Sequence, residues 1–174
     1  MPVVTPDGVQ AEGNVAVWFV PTIAGAAPTA AEITAGTQLA GFIKGGTFTP
    51  TAEQSTGDDR RLASRETYQV LGRVTRGFDD VQYVYNPQEL GTPGHADNEA
   101  YEALAEGTTG DLLTRWGKDA DAAYVAGDVV DVTPIEAGAR RKIGPAENDE
   151  FARLVTSQKW GVTGPTAEDV EVVA

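Results

Sequence analysis

From Thr67 to Asn86 the chain alternates between apolar and polar side chains, and alternation of that length has few folding solutions. Tyr68, Val70, Gly72 and Val74 share one face of an extended segment, with Thr67, Gln69, Arg73 and Thr75 on the other. Val81, Tyr83 and Tyr85 then alternate with Asp80, Gln82 and Asn86. A period of two belongs to a strand, because successive side chains leave opposite sides of the pleat. Arg76-Gly77 reads as the turn of an antiparallel hairpin, and only Leu71 and Val84 break the phase. One face is apolar enough to bury while the other is polar enough to stay wet.

The rest of the chain agrees with that beginning. There are 19 Val and 19 Thr against 8 Leu. β-Branched residues are stiff at χ1 and fit a pleated surface, whereas Leu dominates helical cores. Val15–Val20, ending at Pro21, reads as a strand buried on both faces, and Leu39–Ile43 as a second, closed by Gly45-Gly46. Leu112–Trp116, Tyr124–Thr133 and Phe151–Trp160 read as further strands, with a short end from Val170 to Ala174. Thr29-Ala30-Ala31-Glu32 is a capping box opening at most two turns of helix before Gly36. The one convincing α-helix runs from Ala96 to Glu106, with Asp97 or Asn98 as cap and Gly107 as stop. The expected fold is mostly β, a β-sandwich or partial barrel with one flanking α-helix. A chain of 174 residues without internal repeats suits a single domain, residues 1–174. Residues 44–65 stand apart: polar, Thr-rich and poor in large apolar side chains, they read as a long flexible loop.

Charge and missing residue types narrow the chemistry. A formal charge of −13 opposes phosphate-gripping nucleic-acid binding and docking on anionic lipid. With no Cys and one His, thiol catalysis, zinc–thiolate sites and two-His metal sites are out of reach. Met1–Asp7 lacks the basic and apolar regions of a secretory leader, and the apolar run from Val15 to Val20 is far too short for a membrane span. These features read as a soluble chain made in a cytoplasm. The segment Gly77–Asp111 holds eight acids and no Lys or Arg, while Lys44–Arg76 is net basic by two.

Individual candidates fare poorly. Asp119-Ala120-Asp121 begins like a calcium loop, but Ala123 and Tyr124 stand where a further oxygen ligand and the turn glycine belong, so it reads as a solvated loop. His95, in a Gly/Pro loop beside Asp97, reads as a surface or helix-entry residue. Ser55, Ser64 and Ser157 lie in no nucleophile elbow, and no phosphate-binding glycine pattern is present. No catalytic residue, cofactor or metal is assigned. Asp58-Asp59-Arg60-Arg61 could be a catalytic pair or a salt-bridging patch between subunits, although an isolated charge run is usually just solvated, and Arg140-Arg141-Lys142 reads as an exposed turn or a subunit contact. Paired carboxylates remain open because 26 acids guarantee some pairs. Trp18, Trp116 and Trp160 could offer sugar platforms, although their strand positions favour packing.

Four segments together resemble the major tail tube protein of long, non-contractile-tailed bacteriophages, especially those of actinobacterial hosts. They are Val15–Pro21, the run Tyr68–Val74, Asp131-Val132-Thr133-Pro134, and above all Thr156–Val170. The resemblance implies a structural, non-enzymatic subunit that polymerises as stacked hexameric rings, each copy lending strands to a closed inner barrel through which DNA passes without specific binding. It implies a virion location after assembly in the host cytoplasm. The implied partners are the subunit itself, a tape measure protein, a tail terminator and a distal tail protein, with no membrane. Thr49, Glu53, Asp58, Asp59, Arg60 and Arg61 of the long loop are then expected at the ring–ring contact. Thr67, Gln69, Arg73, Thr75, Asp80 and Gln82 are expected to face the channel. The rival readings are a carbohydrate-binding or carboxylate-dependent β-sandwich enzyme, and a head–tail joining or tail terminator protein that forms one closed ring.

Overall fold

A computed structural model describes residues 8–89, 98–144 and 153–174. His95, the cap candidate Asp97 and Phe151 lie outside these residues. Eight strands, β1 (Val15–Val20), β2 (Thr37–Gln38), β3 (Pro50–Arg60), β4 (Thr67–Val84), β5 (Thr109–Trp116), β6 (Val129–Ile143), β7 (Val155–Val162) and β8 (Ala167–Glu171), form one antiparallel sheet. Its order is β2-β1-β5-β6-β7-β4-β3, with β8 also paired to β6. Two short helices, α1 (Ala30–Ala35) and α2 (Glu99–Ala103), flank it.

The sheet curls because its central strands are apolar on both faces. Val17 and Phe19 of β1 and Leu112 of β5 point inward to Leu39, Phe78, Val81, Tyr83, Ile135, Ala137 and Trp160. Ala16, Val20 and Leu113 point the other way, onto Ile33 of α1, Tyr124, Val130 and Val172. The strand ladder stays open between β1 and β4, and residues 39–44 span that gap. The Leu39 amide donates to the Val17 carbonyl at 2.7 Å, the Lys44 amide to Gln82 at 2.8 Å and the Val84 amide to Phe42 at 2.9 Å. The result is a partial barrel stitched along its open side by a turn.

Several expectations are corrected. Arg76-Gly77 is no turn: β4 runs unbroken through it for 18 residues. The hairpin turns instead at residues 61–66, and its other arm is β3, so half of the segment expected as a loop is a strand. Tyr68, Val70 and Val74 are about half exposed rather than buried, because before Gly77 β4 is paired, among the described residues, with β3 alone. The expected strand at Leu39–Ile43 is the stitching turn, with β2 just before it. The strand expected at Tyr124–Thr133 begins at Val129 and continues to Ile143. Among the described residues the helix expected over 96–106 is the short α2, Glu99–Ala103, and the short helix expected before Gly36 is α1. The capping box holds: the Glu32 amide donates to Thr29 Oγ1 at 3.1 Å and the Thr29 amide to Glu32 Oε2 at 2.8 Å. Asn98 precedes α2 but spends its side chain on Asn86, accepting from its amide at 2.8 Å and donating to its carbonyl at 2.9 Å.

Two bulges bend the sheet at one level. Phe78 and Val81 of β4 both face the core although three residues apart, and so do Ala137 and Arg140 of β6; β7 advances by only two residues opposite each. The extra residues flank Lys159. A β-carbon on Gly138 would lie 2.7 Å from the Lys159 carbonyl oxygen, so only glycine fits that approach. Between the bulges lies Gln158, 1 % exposed. Its Oε1 accepts from the Tyr83 hydroxyl at 2.8 Å and the Trp160 indole at 3.2 Å, and its Nε2 donates to the carbonyls of Leu104 at 3.1 Å and Gly138 at 2.6 Å. Gln158→Leu keeps the volume and strands these buried partners, so it should lower unfolding free energy by about 3 kcal/mol. A urea melt checks this, and an unchanged midpoint would show that the amide is dispensable.

Candidate functional site

The loop that begins like a calcium site closes instead on a side chain from the end of β5. Arg115, 1 % exposed, donates from Nη2 to the carbonyls of Asp119 at 2.9 Å and Ala122 at 2.6 Å, and from Nη1 to Ala123 at 3.3 Å and to Asp128 Oδ2 at 2.9 Å. Its guanidinium lies 4.1 Å from the centre of the Tyr124 ring. Lys118 Nζ completes the arrangement at 2.8 Å from Asp128 Oδ1. Burial pulls the Asp128 carboxyl up, but the hydrogen bonds from Lys118, the Val125 amide and Arg115 outweigh it, and its pKa lies below the ordinary carboxylate value. Burial pushes the Tyr124 phenol up to about 12. A guanidinium thus fills the place a metal would take, and among the described residues no cluster of three or more His, Asp and Glu could hold one.

The basic triplet is likewise absorbed, in β6 rather than a turn. Arg140 turns to the core side, 3.9 Å from the Tyr101 ring centre, with Nε donating to the Leu104 carbonyl at 3.2 Å and Nη2 to that of Tyr101. Tyr101 stacks on Tyr85 at 5.1 Å, and Lys142 Nζ lies 5.6 Å from the Tyr85 ring centre. Arg141 leaves by the opposite face and pairs with Asp80 at 3.1 Å. The tryptophans share no platform: Trp160 is fully buried, Trp18 packs edge-on against Tyr124, and half-exposed Trp116 donates to Asp131 at 2.8 Å.

What remains exposed and organised is one face of four adjacent strands, β3-β4-β7-β6. The row Thr51–Gly77–Gly161–Glu136 points away from the core, next to the inward row Pro50–Phe78–Trp160–Ala137. Further along the outward face, Asp79 and Asp80 stand together at the β4 bulge, and Asp80 adopts φ 58°. Asp79 pairs with Lys159 of β7 at 2.6 Å. Asp80 accepts from the Ser157 hydroxyl and from Gln82 Nε2 at 3.4 Å as well as from Arg141. The Ser157 hydrogen bond is the main cause holding the Asp80 carboxyl below its ordinary pKa.

Only part of the expected channel set shares this face. A third bulge sits where Gln54 pairs with Val74 but Thr56 pairs with Leu71. It places Arg73 and Thr75 with Glu53 and Ser55 on the outward face, in line with Asp80 and Gln82, and flips Thr67 and Gln69 to the other side. A β-carbon on Gly72 would lie 2.5 Å from Ser55 Oγ, which fixes the bulge there. Leu71, out of phase in the sequence, was its trace. The expected face missed Ser157, Lys159 and Glu136 because they come from strands far away in the chain.

Beyond Gly77, among the described residues, no further strand pairs with the β3–β4 ribbon, which projects as an arm with Leu62 fully exposed at its tip. Of the expected contact residues, Thr49 and Glu53 lie at its base and Asp58, Asp59, Arg60 and Arg61 near its end. The last four are paired along the strand, Arg61 with Asp59 at 2.9 Å and Arg60 with Asp58 at 3.9 Å.

The sequence profile of the family described as "Phage tail tube protein" matches residues 3–174. No curated protein matches the sequence. A chain in the cryo-EM structure of the anti-feeding prophage baseplate, 6-fold symmetrised, superposes with a TM-score of 0.52 at 7% identity, covering 95% of this chain and 98% of that one. At that identity the likeness is one of fold.

The Arg115 arrangement has a measurable signature. Asp128→Ala leaves a buried guanidinium without its carboxylate and should cost about 3 kcal/mol in a urea melt at neutral pH. Because the folded-state pKa of Asp128 is lowered, its contribution is fully present above the ordinary carboxylate range and disappears as pH falls through the lowered value. The gap between the natural chain and Asp128→Ala should therefore shrink on acidification; a gap independent of pH contradicts the assignment.

Proposed function

The chain belongs to the phage tail tube protein family, a structural component of the virion, and on that premise we propose that it forms hexameric rings stacked into the tube of a long, non-contractile tail. The outward face of β3-β4-β7-β6 is the observation that carries this reading. It is polar, continuous across four strands and unfilled by any side-chain core. A hexamer lending these strands closes a barrel of roughly 24 strands, about 115 Å around and ~37 Å across before tilt widens it. Such a barrel is too wide to fill with side chains and leaves a wet channel.

The charges on that face suit passage of DNA. Of its cations, Lys159 and Arg141 already hold Asp79 and Asp80, Arg73 shares the face with Glu53, and the chain as a whole carries 26 acids against 13 bases. A wall with neutralised cations offers no run of bases to replace the counterions of a duplex, so the duplex slides rather than sticks. Closing the barrel also removes the open sheet edges that would otherwise template aggregation.

The arm supplies the contact between rings. From Thr51 to Arg60 it extends about 30 Å past the last row shared with β7. Tyr68, Val70, Leu71 and Val74 are exposed along it and acquire a partner only from another copy. Because the ribbon is already paired, docking costs less than ordering a coil, for which the loss is about 1–2 kcal/mol per residue. Residues 1–174 act as one tube domain with this arm. The role is structural, and the tape measure protein, tail terminator and distal tail protein are the further partners.

Replacing residues 55–73 with Asn-Gly joins Gln54 to Val74 through a two-residue hairpin. The shortened subunit should fold with stability within about 1 kcal/mol of the full chain and form no tubes by negative-stain electron microscopy. Tubes of normal length from that variant would remove the arm from the contact. Reversing Arg60 and Arg61 to Glu should shorten or abolish tubes, and unchanged assembly would return both residues to solvent.

A further inference from the structure

The bulge at Gly72 changes what the arm presents. Counted along the sequence, Tyr68, Val70, Gly72 and Val74 alternate, and on a regular strand they would share one side. In the ladder, Gln54 pairs with Val74 and Thr56 with Leu71, so Arg73 and Gly72 both stand opposite Ser55. The phase slips by one residue there. Val74 and Leu71 fall on the side that faces the core at the arm's base, beside Gln54 and Thr56. Val70 and Tyr68 fall on the other side, in line with the polar wall residues Arg73 and Thr75.

Each side of the ribbon thus carries its own apolar pair, and each pair is open. Leu71 is 66% exposed and Val74 46%, and Val70 and Tyr68 are 53% exposed each. Opposite Val70 stands Gly57, which has no side chain to lay over it. The pairs also sit at different distances from Gly77, the residue at the arm's base that pairs with β7. Val74 and Leu71 lie about 10–20 Å out, Val70 and Tyr68 about 23–30 Å. The charges between them cancel: Asp58 pairs with Arg60 at 3.9 Å and Asp59 with Arg61 at 2.9 Å. This stretch therefore brings no net charge into an interface, where an unpaired ion would be costly. A ribbon lying flat on one surface would cover one apolar pair and leave the other in water. A ribbon prolonging the channel wall would hold Val70 and Tyr68 toward the wet lumen.

We propose that the channel wall ends at the Gly72 bulge, and that the arm beyond it enters a slot between other copies of the chain and is covered on both sides. The inference rests on the proposed stacking and states how the arm is held in it. Every ring of a tube offers each arm further copies of this chain, and surfaces that face each other occur at the seam between neighbours in a ring. Glu53, Ser55, Arg73 and Thr75 are then the last residues of β3 and β4 to face the channel.

The natural chain has no Cys, so a single introduced thiol reports a single position. Val70→Cys and Leu71→Cys are adjacent in sequence and point to opposite sides, and Thr75→Cys reports the wall before the bulge. Each variant is treated with N-ethylmaleimide as dilute subunits and as tubes, and mass spectrometry follows the adduct. In tubes the thiols at 70 and 71 should both react about tenfold or more slowly than in dilute subunits, while the thiol at 75 stays within about twofold of its free rate. Tyr68→Cys and Val74→Cys repeat the comparison, one on each side, where either variant forms no tubes. A side at which neither cysteine permits tubes, in chains that circular dichroism shows to be folded, counts as covered. Protection on one side alone would overturn the slot and leave the arm lying on a single surface of the next ring. Protection at 75 would overturn the boundary at the bulge. Free reaction on both sides would remove the arm from the contact between rings, and a natural chain that forms no tubes would overturn the stacking itself.

Discussion

One buried amide, that of Gln158, holds the curved half of this molecule in shape. It stands in β7 between the two bulges, accepting from β4 and from its own strand's tryptophan, and donating to β6 and to the residue that ends α2. A polar group at that depth is costly unless every bond is made. Here each partner is fixed by curvature: the Gly138 carbonyl is available because β6 bulges there, and Tyr83 arrives because β4 bulges at Asp79-Asp80. Flattening the sheet would break the bonds, and breaking the bonds would release the sheet. The outward face inherits that curvature, which sets the direction in which a row of such sheets bends.

How much of this was legible in the sequence depended on range. The β-rich composition, the double-sided burial of Val15–Val20, the capping box at Thr29 and the strand at Leu112–Trp116 all rest on local patterns, and the chain folds accordingly. Where reading failed, a long-range partner decided the outcome. Arg76-Gly77 has turn chemistry, but pairing of Gly77 with both Thr51 and Gly161 keeps it extended. Residues 50–60 lack the apolar alternation of a strand because neither of their faces is buried within one copy, yet they are held by the ladder to β4. Alternation also assumes one residue per step, and each bulge breaks that count, so Thr67 and Gln69 part from Arg73 and Thr75.

Charge followed a second logic that the linear sequence concealed. Runs such as Asp58–Arg61 and Arg140–Lys142 look like sites for other molecules. In the fold, Arg140, Arg141 and Lys142 alternate across the strand and meet an aromatic stack on one side and Asp80 on the other. Asp79 finds Lys159, and Arg76 finds Glu168 at 2.6 Å. A chain with twice as many acids as bases has thus committed many of its cations internally, which leaves the outward face without a concentration of positive potential.

The guanidinium of Arg115 carries its own consequence. Loops that gather several carbonyl oxygens and a carboxylate around one point commonly borrow calcium to cancel the repulsion, and they loosen when the ion is diluted or sequestered. In this chain the cancelling charge is covalently attached. This loop therefore carries its own fastening, and its closure does not rest on the calcium around it.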